Sequence, residues 1–194
     1  KRVVDVLTYG KNHPSGEYLS EASLKNVTLE DVKSNYNTYF VPSNAYLIIV
    51  GDVKFKETKK MVEKFFGSWK KKATAPSVTY NDPKDVAQTQ INFIDMPNAV
   101  QSEIAVVNIS NLKMSDPDYF AVLIANQILG GDFNSYINMN LREVHAWTYG
   151  ARTSISGDKR IGTFSASTQV RNAVTDSAVV EIMKEYKKIR TEKV

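Results

Sequence analysis

The chain has 194 residues, 42% of them hydrophobic and 24% charged, and its 25 basic against 21 acidic side chains give a formal charge of +4. That is the balance of an ordinary globular protein and not of a disordered one, and the length exceeds the roughly 100 to 150 residues of a typical domain, so one domain plus part of another is expected. The absence of cysteine excludes disulfides, thiolate metal sites and cysteine nucleophiles while leaving the compartment open.

No apolar stretch approaches the roughly 18 to 20 residues of a membrane span, and the opening Lys1-Arg2-Val3-Val4-Asp5 lacks the features of a signal peptide. After a polar start, Thr28-Leu29-Glu30-Asp31 has the pattern of a helix N-terminus with Thr28 as cap. Leu29, Val32, Tyr36 and Phe40 follow at helical spacing. Pro42-Ser43-Asn44 is turn chemistry, and Ala45 to Val50 is a continuous apolar run suited to a buried strand, closed by Gly51-Asp52. A second helix carries Phe55, Thr58, Val62, Phe65 and Phe66 on one stripe, with Gly67 placed for a left-handed C-terminal cap.

The run Lys70-Lys71-Lys72 reads as a solvated helix end; no aromatic or glycine-rich nucleic-acid module accompanies it, so no nucleic-acid partner is expected. From Lys70 to Gln88 periodicity disappears, and Pro76 and Pro83 fall among small polar residues, as in a linker. Gln90 to Met96 and Glu103 to Ile109 then read as strands joined by a turn at Pro97-Asn98-Ala99. Asp116-Pro117 has the form of a helix start, and Phe120, Leu123, Ile124 and Ile128 fall on one face before Gly130-Gly131 ends it.

A short helix from about Asn134 to Glu143 leads into two strand-like segments, Trp147 to Ile155 and Ile161 to Val170, arranged as a hairpin around Ser156 to Arg160. A last helix from about Ala173 has Val179, Ile182, Met183, Tyr186 and Ile189 on its inner face. This order predicts an α+β protein whose antiparallel sheets carry helices on one face.

Catalytic groups are few. His13 and His145 are the only histidines, and neither has a carboxylate or second histidine at the spacing that puts two ligands on one helical face, so no metal ligands are assigned within this chain. No phosphate-binding glycine loop and no Gly-x-Ser-x-Gly elbow is present. What remains is Leu141-Arg142-Glu143 at a helix end and Trp147-Thr148-Tyr149-Gly150 at the strand that follows. An arginine fork and a phenol are both donors at neutral pH, suited to peptide carbonyls or a developing oxyanion. The structural alternative is a half-buried core tyrosine beside an arginine paired with Glu143.

Three stretches together resemble the insulinase and pitrilysin family of zinc peptidases, which also contains the mitochondrial processing peptidase. The first is Tyr9-Gly10-Lys11-Asn12-His13-Pro14, continued by Thr28 to Val32 and by Tyr39-Phe40-Val41-Pro42-Ser43-Asn44-Ala45 through Gly51-Asp52. The second is Ile128-Leu129-Gly130-Gly131, Asn140-Leu141-Arg142-Glu143 and Trp147-Thr148-Tyr149-Gly150. The third is Gly162-Thr163-Phe164 and the helix after it.

The resemblance implies a segment that straddles two lobes: residues 1–72 the end of one, 73–89 a linker, and 90–194 most of the next. The family's inverted His-x-x-Glu-His helix, which binds zinc and activates water, has no counterpart here. Zinc would be a cofactor of the complete enzyme, held by a separate zinc-bearing lobe or partner subunit, and this segment alone is expected to be inactive. By residue match, Arg142 and Tyr149 are the implied catalytic pair, binding the backbone of a peptide or unfolded polypeptide substrate and steadying the tetrahedral intermediate. Asn134-Ser135-Tyr136-Ile137 departs from a more usual Ser-Arg-Leu, and Val144 and Ala146 replace a common Lys and Gly. A non-catalytic structural or peptide-binding subunit is the alternative within the family, and a module that recruits extended peptides at a sheet edge is the alternative outside it.

Overall fold

A computed structural model describes residues 2–69, 74–157 and 159–194; the Lys70-Lys71-Lys72 run and the central Asp158 of the expected hairpin turn lie outside the described residues. The chain forms two compact units, Tyr18–Tyr80 and a second made of Lys1–Glu17 with Asn81–Val194.

An amphipathic helix not foreseen from the sequence, α1, spans Arg2–Tyr9. In the unit Tyr18–Tyr80, α2 (Glu21–Lys25) and α3 (Leu29–Tyr39) each begin with a capping box. In α3 the Thr28 side chain accepts from Asp31 N–H while the Asp31 carboxylate accepts from Thr28 N–H at 2.9 Å. Two backbone donors at the helix start are thereby satisfied, so this start is specified within four residues. Helix α4 follows at Phe55–Phe66. Gly67 ends it at φ −61°, right-handed, so the left-handed cap expected there does not form.

The expected buried strand at Ala45 to Val50 pairs with no strand among the described residues and is not buried: Tyr46 is 94% exposed and Ile48 82%. Leu29, Val32, Tyr36, Phe40, Phe55 and Phe65 are also exposed, so the apolar stripes of α3 and α4 lie largely open.

The other unit holds a three-stranded antiparallel sheet in the order β1-β3-β2, made of β1 (Gln101–Ser110), β2 (Ala151–Ile155) and β3 (Gly162–Arg171). Register pairs Ile104 with Thr168, Val106 with Ala166 and Thr153 with Ala166. Alternate residues therefore share one face, as the two-residue period of a strand requires. That face packs on Leu129, Ile137 and Leu141 and on Ala178 and Ile182 of α7 (Thr175–Thr191). Covering helices on one side and exposed Arg152, Ser167, Gln169 and Arg171 on the other make this an α+β fold.

Several expected boundaries shift. Gln90 to Met96 pairs with no strand among the described residues, and Ile91 and Phe93 are exposed. Helix α5 starts at Tyr119, after Asp116 has accepted the Lys113 N–H in a preceding turn. On α5, Phe120 and Ile124 face solvent, as does Met183 on α7. The expected helix at Asn134 to Glu143 becomes the short α6 (Tyr136–Asn138) continued by a π-helical turn at Met139–Val144, and a second π turn spans Gln127–Gly131.

Candidate functional site

Arg142 lies in the π turn Met139–Val144, where an extra residue per turn reorients the side chains that follow. Its guanidinium carbon sits 4.4 Å from the centroid of the Phe133 ring, and its Nε is 3.2 Å from Glu143 Oε1. The side chain is therefore held over an aromatic face while remaining 37% exposed. Because the ion pair engages Nε, the two terminal nitrogens remain as donors.

The chain leaves the π turn through Ala146 at φ +52°, in the left-handed region. Ala146 N–H bonds the Arg142 carbonyl at 3.1 Å and Trp147 N–H reaches back to the Leu141 carbonyl at 3.0 Å. This turn delivers Trp147-Thr148-Tyr149-Gly150. Thr148 Oγ1 donates to the Gly150 carbonyl and accepts from Gly150 N–H, at 3.0 and 3.1 Å. From β3, the buried Thr168 hydroxyl donates to Thr148 Oγ1 at 3.0 Å. Tyr149 thus projects from a loop closed by its own neighbours, and it is 91% exposed. The half-buried tyrosine of the structural alternative does not occur, because β2 begins two residues later, at Ala151. The Arg142–Glu143 pair of that alternative does occur.

Asn138, 2% exposed, is a residue that sequence reasoning missed. Its Nδ2 donates to the Phe133 carbonyl at 2.7 Å, and its Oδ1 accepts the Ala151 N–H at 3.0 Å. Gly130 is its counterpart in packing: a methyl group there would stand 2.6 Å from the Thr153 backbone nitrogen, so the π turn Gln127–Gly131 can lie on β2 only without a side chain. The pair Gly130-Gly131 was visible in the sequence, though as a helix stop. Nothing in the one-dimensional pattern marked Asn138.

The carboxylate of Asp132, one residue before Phe133, accepts N–H groups from Asn134 and Phe133 and the Gln127 amide; led by the Asn134 N–H, these lower its pKa below the ordinary carboxylate value. On α7, Glu181 is likewise lowered, by Lys184 first and by the Asn140 amide second. Asn140 Nδ2 also donates to Glu185 Oε1 at 2.6 Å, tying the π turn that carries Arg142 to α7. Burial raises the Tyr186 phenol. A cavity of about 240 Å³ between the π turn and α7 is lined by Tyr136, Met139, Asn140, His145, Glu185 and Lys188; Arg142 and Tyr149 stand outside it on the surface.

His13 stacks on Tyr9 at 5.2 Å between centroids, and His145 on Trp147 at 4.1 Å. Among the described residues no group of three or more His, Asp or Glu is placed to hold a metal ion, so the side chains present do not fit a zinc site. Among the described residues no helix is long and apolar enough to cross a membrane.

Residues 26–194 match the family model described as peptidase M16 inactive domain. A probable inactive metalloprotease of Bacillus subtilis (strain 168), YmfF, is 22% identical over 160 residues, covering 82% of this chain and 36% of YmfF. A peptidase M16 inactive domain from Pseudomonas fluorescens superimposes over 100% of this chain and 46% of its own, with a TM-score of 0.86 at 21% identity. A protease from Helicobacter pylori superimposes over 92% of this chain and 47% of its own, with a TM-score of 0.75 at 18% identity. The chain spans less than half the length of each of these relatives.

Proposed function

This chain belongs to the peptidase M16 inactive-domain family, and on that premise we propose that it is the substrate-handling part of a zinc metalloendopeptidase whose metal is held by another lobe or by a partner subunit. The observation that carries the reading is the presentation of Arg142 and Tyr149. One is braced on an aromatic ring and the other stands on a loop locked by hydroxyls, and both offer donors to solvent. Donors fixed in advance can bind peptide carbonyls and a developing oxyanion without being reorganised at the moment of reaction. In this reading the lobe boundary falls within residues 73–89. The open apolar segments at 45–50 and 91–96 are where further parts of the assembly are expected to fit.

In the complete protein, with the zinc-bearing lobe present, Arg142→Ala and Tyr149→Phe should each lower turnover of an unfolded fluorogenic peptide by about 100- to 1000-fold, the range for loss of one oxyanion donor. Zinc content measured by metal analysis should not change. Full turnover in both variants would refute the assigned roles.

The second reading is a non-catalytic, peptide-binding or structural subunit, favoured by the description of YmfF as probably inactive. The two readings part on whether the complete protein, or a partner encoded beside it, carries the inverted zinc motif. If neither does, peptide affinity replaces turnover as the measurement.

A further inference from the structure

We propose that Asn138 is a positioning residue that couples the seat of Arg142 to the loop of Tyr149, an inference that rests on the substrate-handling reading above. Its side chain touches both supports. Through Nδ2 it holds the carbonyl of Phe133, whose ring lies under the Arg142 guanidinium; through Oδ1 it holds the N–H of Ala151, two residues beyond Tyr149.

The two bonds need opposite polarity, and the buried Asn138 amide supplies a donor and an acceptor on two separate atoms of one short side chain. They also fix the amide orientation, since the reversed amide would set oxygen against carbonyl and N–H against N–H. Asn138 further sits where α6 passes into the π turn, four residues before Arg142, so the backbone that carries the arginine starts from the residue that anchors the tyrosine loop. The Thr148 and Thr168 hydroxyls close the loop internally, and Asn138 fixes where the closed loop stands against the helical side.

The test uses the full-length protein with two readouts. Hydrogen exchange of residues 133–142 and 147–153 reports whether the two segments are joined, and anisotropy of a fluorescein-labelled unfolded peptide reports affinity. Asn138→Ala should raise exchange about 10-fold in both segments and weaken the peptide about 10-fold, while far-UV dichroism shows the fold retained. Asn138→Asp keeps the acceptor for Ala151 and drops the donor to Phe133, so exchange should rise in 133–142 and stay low in 147–153. In an Arg142→Ala/Tyr149→Phe background, Asn138→Ala should weaken the peptide less than about 2-fold, because the groups through which it acts are gone.

For Asn138→Ala, exchange raised in one segment or in neither, or a full 10-fold loss persisting in that background, overturns the role of Asn138 and leaves the Arg142 and Tyr149 reading standing. Wild-type affinity in the Arg142→Ala/Tyr149→Phe protein overturns the underlying reading, and the role of Asn138 with it.

Discussion

Ala146 holds the left-handed conformation at φ +52° where the family resemblance has glycine. For a residue with a Cβ that conformation costs about 1–2 kcal/mol, while glycine loses about 0.5–1 kcal/mol more backbone entropy on folding. The difference favours glycine, so Ala146→Gly should raise stability by up to about 1.5 kcal/mol in denaturant unfolding, with no change in slope. A fall in stability would mean that the Ala146 methyl group makes contacts that outweigh its strain. The position was legible as a departure from the family pattern, but its backbone conformation was not. Tyr149 shows the complementary error at this scale. A strand that began at Trp147 would bury half of the Tyr149 ring, whereas the Thr148 hydroxyl takes over the Gly150 backbone groups a ladder would have used.

The elements differ in how local their causes are. The start of α3 could be read from four residues because Thr28 and Asp31 satisfy each other's backbone. The strands β1 and β3 were legible at Glu103 to Ile109 and Ile161 to Val170 for the same kind of reason, a composition contained within one segment. The two π turns were not, because they arise from packing against β2 and α7, which no short window contains. Gly130 is the clearest case. In the sequence it reads as a helix stop, and its structural role is to let one element lie on the backbone of another. Gly130→Ala should therefore cost about 1–3 kcal/mol, the usual range for overpacking, measured as a loss of thermal stability. Gly150→Ala would be a poor control for strain but a fair one for space, since a Cβ there meets only Asn138 Oδ1 at 3.8 Å. An unchanged melting temperature for Gly130→Ala would show that the π turn can move off β2 freely.

For the whole molecule, the sequence conveyed the α+β class and the late sheet with its covering helices, and it conveyed less about where apolar side chains end up. Runs such as Ala45 to Val50 and Gln90 to Met96 have strand composition, yet composition cannot say whether a partner strand is supplied within the same 194 residues. Extended apolar segments with open backbone groups invite pairing between molecules. The isolated 194-residue polypeptide should accordingly self-associate at micromolar concentration in sedimentation velocity, and Tyr46→Lys with Ile48→Lys should shift it toward monomer. Equal monomer fractions in the two proteins would show that these segments are not the sticky surfaces.

The strand order also bears on the timing of synthesis. β1 ends at Ser110, and its ten-residue partner β3 does not begin until Gly162. At about 5–20 residues per second, translation leaves β1 waiting roughly 3–10 s for the strand that completes it. During that interval a nascent chain has an unmatched ten-residue edge, so the ribosome-bound stage is when this fold has greatest need of a chaperone.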